Sequence, residues 1–119
     1  MTEQRLIIEM GMGNDLHGQD YTKAARRAIE DAFRHSSLPL FGAVGLNHSE
    51  MRVQVTVGVQ EPDKVDTEAL VPALPRGRAE VHVVKGGLNV ETDAEPIVIA
   101  QASVEAFLPP QSGWTLRSR

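Results

Sequence analysis

The sequence predicts an α+β fold in which one long amphipathic helix covers one face of a four-stranded, mainly antiparallel sheet. Four segments alternate apolar and polar residues with a period of two, and one segment repeats apolar residues at helical spacing. The order along the chain is β-α-β-(short α)-β-β. We predict strands over residues 5–12, 51–60, 79–85 and 96–107, a helix over residues 20–35, and a short helix over residues 67–71.

The long helix is the clearest element of the sequence. Its apolar residues recur at i, i+3, i+4 and i+7, and most of them are alanine, which lets the helix approach its neighbour closely. Asp20 suits the N-cap, because its carboxylate can accept hydrogen bonds from the free amides of the first turn. Asp66 is predicted to cap the short helix in the same way. The predicted buried stripe of the long helix contains Tyr21, Ala24, Ala25, Ala28, Ile29, Ala32 and Phe33.

The strands indicate a sheet with one apolar and one polar face, because a single helix cannot cover both faces. In the second strand, one face carries Val53, Val55, Val57 and Val59. In the first strand, Leu6, Ile8, Met10 and Met12 share a face opposite to Ile7, Glu9 and Gly11. The polar face is expected to carry Glu9, Gln54, Thr56, Glu80 or His82, Gln101, Ser103 and Glu105.

Isoleucines on this polar face suggest that the chain forms a homo-oligomer. Ile97 and Ile99 share the parity of Gln101, and Ile7 shares that of Glu9. These side chains would be exposed in a monomer. A closed cyclic ring, such as a trimer, would turn the polar faces together and enclose a site. The simpler alternative is that the face meets water.

Composition narrows the classes of function. The chain has 119 residues, which fits one domain over residues 1–108 followed by a tail over residues 109–119. It has no cysteine, which excludes disulfides, thiolate metal sites and cysteine nucleophiles. The net charge of −4 and the absence of a basic stripe argue against nucleic acid. No apolar run approaches the ~18 residues of a membrane span, and no secretory signal is recognisable, so we expect a cytoplasmic protein without a membrane partner.

The segment from Gly11 to Asp20 is the main candidate for chemistry. It leads from a strand to a helix N-terminus, and its glycines would let main-chain amides approach an anionic ligand. The glycine spacing does not match a dinucleotide fingerprint, and we expect no cofactor. The predicted ligand-binding residues of this segment are Gly11, Gly13, Asn14, Gly18, Gln19 and Asp20.

Within this segment, Asp15 and His17 are the predicted catalytic residues. A carboxylate beside an imidazole orients the ring and supports general base catalysis. The same pair, with Glu9 or Asp20 as a third ligand, would alternatively bind a divalent metal. Asn, Asp, Gly and Gln are also common turn and cap residues, so a purely structural loop is the competing interpretation.

Two lysines are further candidates for ligand contacts. Lys23 lies in the first helical turn, where the helix dipole disfavours a cation. It would hold a bound anion or carboxylate there, or else be an ordinary surface lysine. Lys85 precedes Gly86 and Gly87, which form either an amide nest for an anion or a simple turn.

The run from Glu9 to Asp20, continued by Thr22, Lys23, Ala24, Ala25 and Ala28, resembles a family of small conserved hypothetical proteins of bacteria and plants. The stretch DLHGQD, residues 15–20, is its most specific part, and the resemblance implies no assigned activity. At the level of the fold, the chain is also similar to one repeat of cyanuric acid hydrolase and barbiturase, whose three fused units surround a central cavity. Those enzymes use serine–lysine pairs near Ser-Gly-Gly, whereas Lys85 precedes the glycines here.

Three functions follow as alternatives. The first is an oligomer that binds a small polar or anionic metabolite at the Gly11–Asp20 segment near a subunit interface, with hydrolase-like chemistry. The second is a non-catalytic ligand-binding or scaffold oligomer. The third is a divalent-metal-dependent site.

Overall fold

The computed structural model describes residues 4–34, 52–74 and 78–108 and confirms the α+β fold. The predicted tail over residues 109–119 lies outside the described residues. No helix among the described residues is long and apolar enough to cross a membrane. The elements are β1 (Gln4–Asp15), α1 (Tyr21–Arg34), β2 (Arg52–Val59), two 3₁₀ helices (Pro62–Lys64 and Thr67–Ala73), β3 (Arg78–Lys85), β4 (Leu88–Val90) and β5 (Ile97–Leu108).

The sheet has the order β1-β5-β2-β3, and β4 also pairs with β5. β5 is antiparallel to β1, β2 and β4, whereas β2 and β3 are parallel. The strand that the sequence pattern missed is β4, which has three residues and is too short to show alternation. It pairs with the start of β5, and β2 pairs with the remainder of β5 on the same side. β4 therefore continues the position that β2 leaves after Val59.

The core lies between α1 and one face of this sheet. All four predicted valines of β2 are buried, and so are alternate residues of β5 from Val98 to Leu108. The predicted stripe of α1 is buried from Tyr21 to Ala32, and Phe33 packs against it partly buried. The second 3₁₀ helix closes one side of the core with Leu70. The Asp66 carboxylate accepts a hydrogen bond from the Glu68 amide, as its predicted capping role requires.

The assignment of faces in β1 is opposite to the prediction. Ile8, Met10 and Met12 are exposed on the face away from α1. Glu9 pairs with buried Val104, on the face that α1 covers, so it does not belong to the predicted polar face. Hydrophobicity alone could not reveal this, because the side of β1 that meets α1 carries glycine rather than large apolar side chains.

Gly11 and Gly13 explain this inversion. A Cβ on Gly11 would overlap the Ala32 nitrogen and the Ala28 carbonyl, and one on Gly13 would overlap the Ala28 nitrogen and the Ala24 carbonyl. The helix main chain therefore lies directly on the strand main chain. Glycine in β1 and alanine in α1 are the only side-chain sizes that permit this separation.

The sheet face away from α1 is called the open face from here on. Thr56 of β2, Gln101 and Ser103 of β5 and His82 of β3 lie on it as predicted, and Thr56 is directly opposite both Ser103 and His82. Ile97 and Ile99 also lie on it, but they are half-buried rather than exposed, because β4 pairs alongside them.

Candidate functional site

The predicted loop is shorter than the sequence pattern indicated, because β1 continues to Asp15. The connection to α1 comprises residues 16–20, and it reverses direction through Gly18 at φ +90° and Gln19 at φ +51°. Asp20 caps the helix as predicted. Its carboxylate accepts a 2.9 Å hydrogen bond from the Lys23 amide, and its carbonyl accepts from the Ala24 amide at 3.1 Å.

Asp15 is the buried ionisable residue of this region, with 2 % of its surface exposed. One carboxylate oxygen accepts from the Asp20 amide at 2.9 Å, and the other contacts the Lys23 ammonium at 3.0 Å. Burial raises the pKa of Asp15, but the Asp20 hydrogen bond and the hydrogen bond and charge of Lys23 outweigh it, so the net pKa is lowered. Asp15 is thus an ionised carboxylate held by the protein's own donors.

Lys23 therefore contacts a carboxylate, as one interpretation of its position suggested, but the carboxylate belongs to Asp15. The cation that opposes the helix dipole is explained by this ion pair, because the buried Asp15 charge lies beside it. Lys23 remains about one third exposed at its side chain, at 36 %.

His17 is not brought against Asp15. Its side chain is exposed, and within the described residues no hydrogen bond joins it to Asp15. The acid–base role of the two residues stays a prediction. The residue spacing suggested proximity on an extended chain, whereas Asp15 points under α1 and the chain turns away at Leu16.

Most of the other predicted ligand groups of this segment have partners within the protein. The Asn14 carbonyl accepts from the Arg27 guanidinium at 2.7 Å, and the Gly18 amide donates to the Glu95 carboxylate at 2.7 Å. Gly11 and Gly13 lie against α1. The Gln19 side chain is exposed. The structure gives these groups packing and loop-closing contacts, and their ligand role stays a prediction.

Metal binding has no support in the described part of the chain, where no group of three or more His, Asp or Glu side chains is arranged to hold an ion. Glu9 and Asp15 lie on the α1 side of the sheet, whereas His17 is exposed beyond the end of β1. The proposed third ligand, Asp20, uses its carboxylate to cap α1.

Lys85, Gly86 and Gly87 form the step from β3 to β4. The Gly86 amide donates to the Val59 carbonyl at 2.9 Å, and the Gln60 side-chain amide donates to the carbonyls of Gly86 and Gly87, each at 3.1 Å. Gly87 has φ +64°, and a Cβ there would overlap the Ile99 carbonyl. These contacts favour the turn over the amide nest, because the Gly86 amide already has a partner.

A polar cluster at the start of α1 was not predicted. The buried Tyr21 hydroxyl donates to the Glu61 carboxylate at 2.8 Å and accepts from the Asn89 side-chain amide at 2.7 Å. Burial raises the pKa of Tyr21. The cluster ties α1 to the segment after β2 and to β4. Periodicity identified Tyr21 as a core residue, but it could not reveal partners 40 and 68 residues away.

A concavity with a volume of about 590 Å³ lies on the open face. Its floor carries the polar side chains of Thr56, Gln101 and Ser103. Its apolar walls come from Met10 and Met12 of β1 on one side and Val84 of β3 on the other. Lys85, the last residue of β3, borders the groove, and its pairing with buried Val59 places its side chain at the sheet edge on the α1 side. We call this concavity the open-face groove.

The open-face groove has the composition of a small-molecule site. Such sites typically have volumes of about 300–1,000 Å³, largely apolar walls and a few polar groups that orient the ligand. Lys85 is the one cation among the described residues that line the groove, and none of the described residues forms an ion pair with it. The sequence pattern placed Thr56, Gln101 and Ser103 on this face but missed Met10 and Met12, which it grouped with the core.

Comparisons with known proteins identify relatives of this chain. A family model described as a conserved hypothetical protein, Lin0512_fam, matches residues 5–106. The crystal structure of an FtsZ-like protein of unknown function from Nostoc punctiforme PCC 73102 is 38 % identical, with a TM-score of 0.80 over 92 % of this chain and 99 % of that chain. A search of the curated proteins gave no significant match. The family match confirms the resemblance to small conserved hypothetical proteins.

Proposed function

The chain belongs to the Lin0512 family of conserved hypothetical proteins, and on its geometry we propose that it binds a small anionic metabolite in the open-face groove. The proposal rests on the groove itself, in which polar Thr56, Gln101 and Ser103 lie between apolar walls and one lysine borders the end. The proposal is a binding function rather than a catalytic one.

Charge and shape narrow the class of ligand. Lys85 ends the edge strand β3 and pairs with buried Val59, so its long, exposed side chain would bring one positive charge round the strand edge to the groove. An ammonium beside apolar walls attracts a carboxylate more strongly than it would in open water. Asp31 also lines the groove near Met12, and it disfavours a second anionic group at that end. We therefore propose a monoanionic ligand whose apolar body lies on the methionines and whose charged group lies at Lys85.

The methionines suit a ligand of variable shape. Met10 and Met12 are 68 % and 55 % exposed, and their unbranched side chains adapt to the surface that they contact. Thr56 and Ser103 are opposite each other in the β2–β5 register, so their hydroxyls present adjacent donors and acceptors. This arrangement would orient a carbonyl or hydroxyl in the middle of the ligand.

Catalysis at the Gly11–Asp20 segment is the less favoured alternative. Asp15 already accepts from Lys23 and from the Asp20 amide, so its lone pairs are engaged in the folded state. A lowered pKa also makes it a weak base at neutral pH.

We further propose a cytoplasmic location, supported by the lack of cysteine. We also propose a homo-oligomer, supported by the exposed apolar residues of the open face.

Thermal unfolding with a panel of small monocarboxylates and their uncharged amide analogues tests the proposal. A ligand present at about 100 times its dissociation constant adds roughly 2.7 kcal/mol to the free energy of unfolding. We expect at least one acid to raise the midpoint temperature while its amide has little effect. Lys85→Met should abolish that increase.

Lys64→Met is the matched control, because Lys64 is also exposed and lies outside the groove lining. It should respond to the acid as the parent protein does. If no acid stabilises the protein, or if Lys85→Met retains the response, the groove does not have the proposed function. If the protein converts the acid into a new product, the groove is a catalytic site and the proposed binding-only function is wrong.

A further inference from the structure

The outer edge of β1 is only partly protected against pairing with another strand. β1 is an edge strand that pairs with β5 on one side only. In an antiparallel pair, alternate residues direct both main-chain groups toward the partner or away from it, and in β1 the even-numbered residues direct theirs away from β5. The Met12 amide, which points outward, donates to the Asp31 carboxylate at 3.0 Å. The Asn14 carbonyl, also outward, accepts from Arg27.

These two contacts mean that α1 side chains occupy the edge from Met12 to Asn14. Ile8 and Met10 have the same parity as Met12, with no register shift between them, so their amides and carbonyls also point outward. No described residue donates to or accepts from these groups. Within residues 4–34, 52–74 and 78–108, the unprotected part of the edge is thus a short window at Ile8 and Met10.

The side chains of this window do not protect it either. Exposed edges are normally protected by charged residues, proline, bulges or a covering element. Ile8 and Met10 are uncharged and 45 % and 68 % exposed. The opposite edge, β3, differs because it carries exposed Glu80, His82 and Lys85. Charge therefore protects β3, and α1 protects the second half of β1.

We propose that this window pairs with the same window of a second copy, so that two β1 strands join antiparallel about a two-fold axis and the two sheets become continuous. A window of two outward residues is self-complementary under a two-fold axis, because each copy offers the same donors and acceptors. Pairing with the longer, charged β3 edge of another copy would leave most of that edge unpaired.

Charge and hydrogen bonding select the register. An axis at Glu9 would place two carboxylates directly opposite each other, which is destabilising. An axis at Met10 would place Ile8 opposite Met12, whose amide is already bound to Asp31. The axis therefore lies at Ile8, which pairs with Ile8 of the other copy and exchanges two main-chain hydrogen bonds with it. Met10 then lies opposite Leu6 of the other copy, at the irregularity of β1 between Arg5 and Ile7, so the Ile8 pair carries the contact.

This pairing would bring the open-face grooves of the two copies onto one continuous surface. The β1 walls of both grooves, formed by Met10 and Met12, then lie on either side of the shared axis. The pairing does not depend on a ligand. It would narrow the cyclic-ring hypothesis to a two-fold dimer, or to an assembly built from such dimers.

Cysteine trapping tests the register directly, because the chain has no cysteine of its own. In a hydrogen-bonded antiparallel pair the Cα atoms are about 5.5 Å apart, within the range of a disulfide. Ile8→Cys should therefore form a disulfide-linked dimer under mild oxidation. Met12→Cys is the control, since it is similarly exposed on the same strand face but would lie roughly 27 Å from its counterpart.

We expect about tenfold more cross-linked dimer for Ile8→Cys than for Met12→Cys, given that only the first pair lies within disulfide reach. Equal cross-linking of the two variants would overturn the proposed register, and none in either would overturn the pairing itself.

Sedimentation equilibrium of the whole chain gives the second measurement. The parent protein should have twice the chain mass of 13.0 kDa, or an even multiple of it. Ile8→Pro removes an amide that has no described partner within the chain, so it should yield folded protein of half the parent mass. Ile8→Val retains the amide and should keep the parent mass. A monomeric parent protein, or an unchanged mass in folded Ile8→Pro, would refute the pairing.

Discussion

Gly13→Ala should destabilise the protein through a clash between two main chains. The added methyl group would overlap the Ala28 nitrogen and the Ala24 carbonyl of α1 and lie 2.6 Å from the Arg27 Cβ. None of these atoms belongs to a flexible side-chain end. The helix must therefore move away from β1, and the packing of its alanine stripe is lost along with the close contact.

Whether Gly13→Ala raises or lowers the free energy of unfolding distinguishes a clash from the ordinary effect of replacing a glycine. Gly13 is not among the residues with positive φ, so alanine can adopt its backbone conformation. In the absence of a clash, replacing glycine by alanine would stabilise the protein by about 0.4–1 kcal/mol, because the unfolded chain loses freedom. Overpacking of a rigid core costs about 1–3 kcal/mol or more. We expect a net loss of about 2–3 kcal/mol, near the upper end of that range.

Urea unfolding followed by circular dichroism measures this difference. In thermal unfolding of a domain of this size, a loss of about 2–3 kcal/mol corresponds to a decrease of roughly 8–12 °C in the midpoint temperature. Met12→Ala, one residue earlier and exposed on the opposite face, is the control and should change stability by less than about 0.5 kcal/mol. Adding Ala28→Gly should not rescue Gly13→Ala, because the overlap involves the Ala28 backbone rather than its methyl group. A Gly13→Ala protein as stable as the parent would refute the close-packing explanation.

Two further predictions concern the turn after β3 and the buried carboxylate. Gly87→Ala should cost at least about 2 kcal/mol, because Gly87 combines φ +64° with a Cβ position that overlaps the Ile99 carbonyl. Gly86→Ala, whose nearest atom would lie at 3.2 Å, should cost distinctly less in the same unfolding assay, and equal losses would contradict the role of Gly87. Asp15→Asn should lower stability at neutral pH by about 2 kcal/mol, less than a fully buried pair, because Lys23 reaches solvent. Since the pKa of Asp15 is lowered by folding, its contribution is complete above the unfolded value of about 3.9 and is lost as the pH falls through the folded pKa. Unfolding free energies from pH 7 to pH 2 should therefore decrease less steeply at the acid end for Asp15→Asn, and parallel curves would count against the ion pair.

Periodicity alone was sufficient for most of the fold. Alternating valines identified β2, the alanine stripe identified α1, and Asp20 and Asp66 marked the starts of helices, because each depends on residues near one another in the chain. The three-residue β4 was missed, since its length is set by where β2 leaves the sheet.

The candidate site was predicted less completely. The sequence suggested that Asp15 and His17 act together, because they are two residues apart. In the structure, Asp15 lies under α1 with Lys23, and His17 is exposed. Lys23 did carry a recognisable signal, an unfavourable charge in the first helical turn, and the buried Asp15 carboxylate is the physical reason for it.

The sequence by itself determined the order of the longer elements, the core stripe of α1 and the polar character of the open face at Thr56, Gln101 and Ser103. Only the tertiary structure decided which face of β1 is inside. Hydrophobicity favoured the face of Ile8, Met10 and Met12, but contact distance selected the face of Gly11 and Gly13. The reason is that close packing of two backbones requires the absence of side chains, a property that a hydrophobic pattern does not record. The exposed methionines of the open-face groove are the consequence.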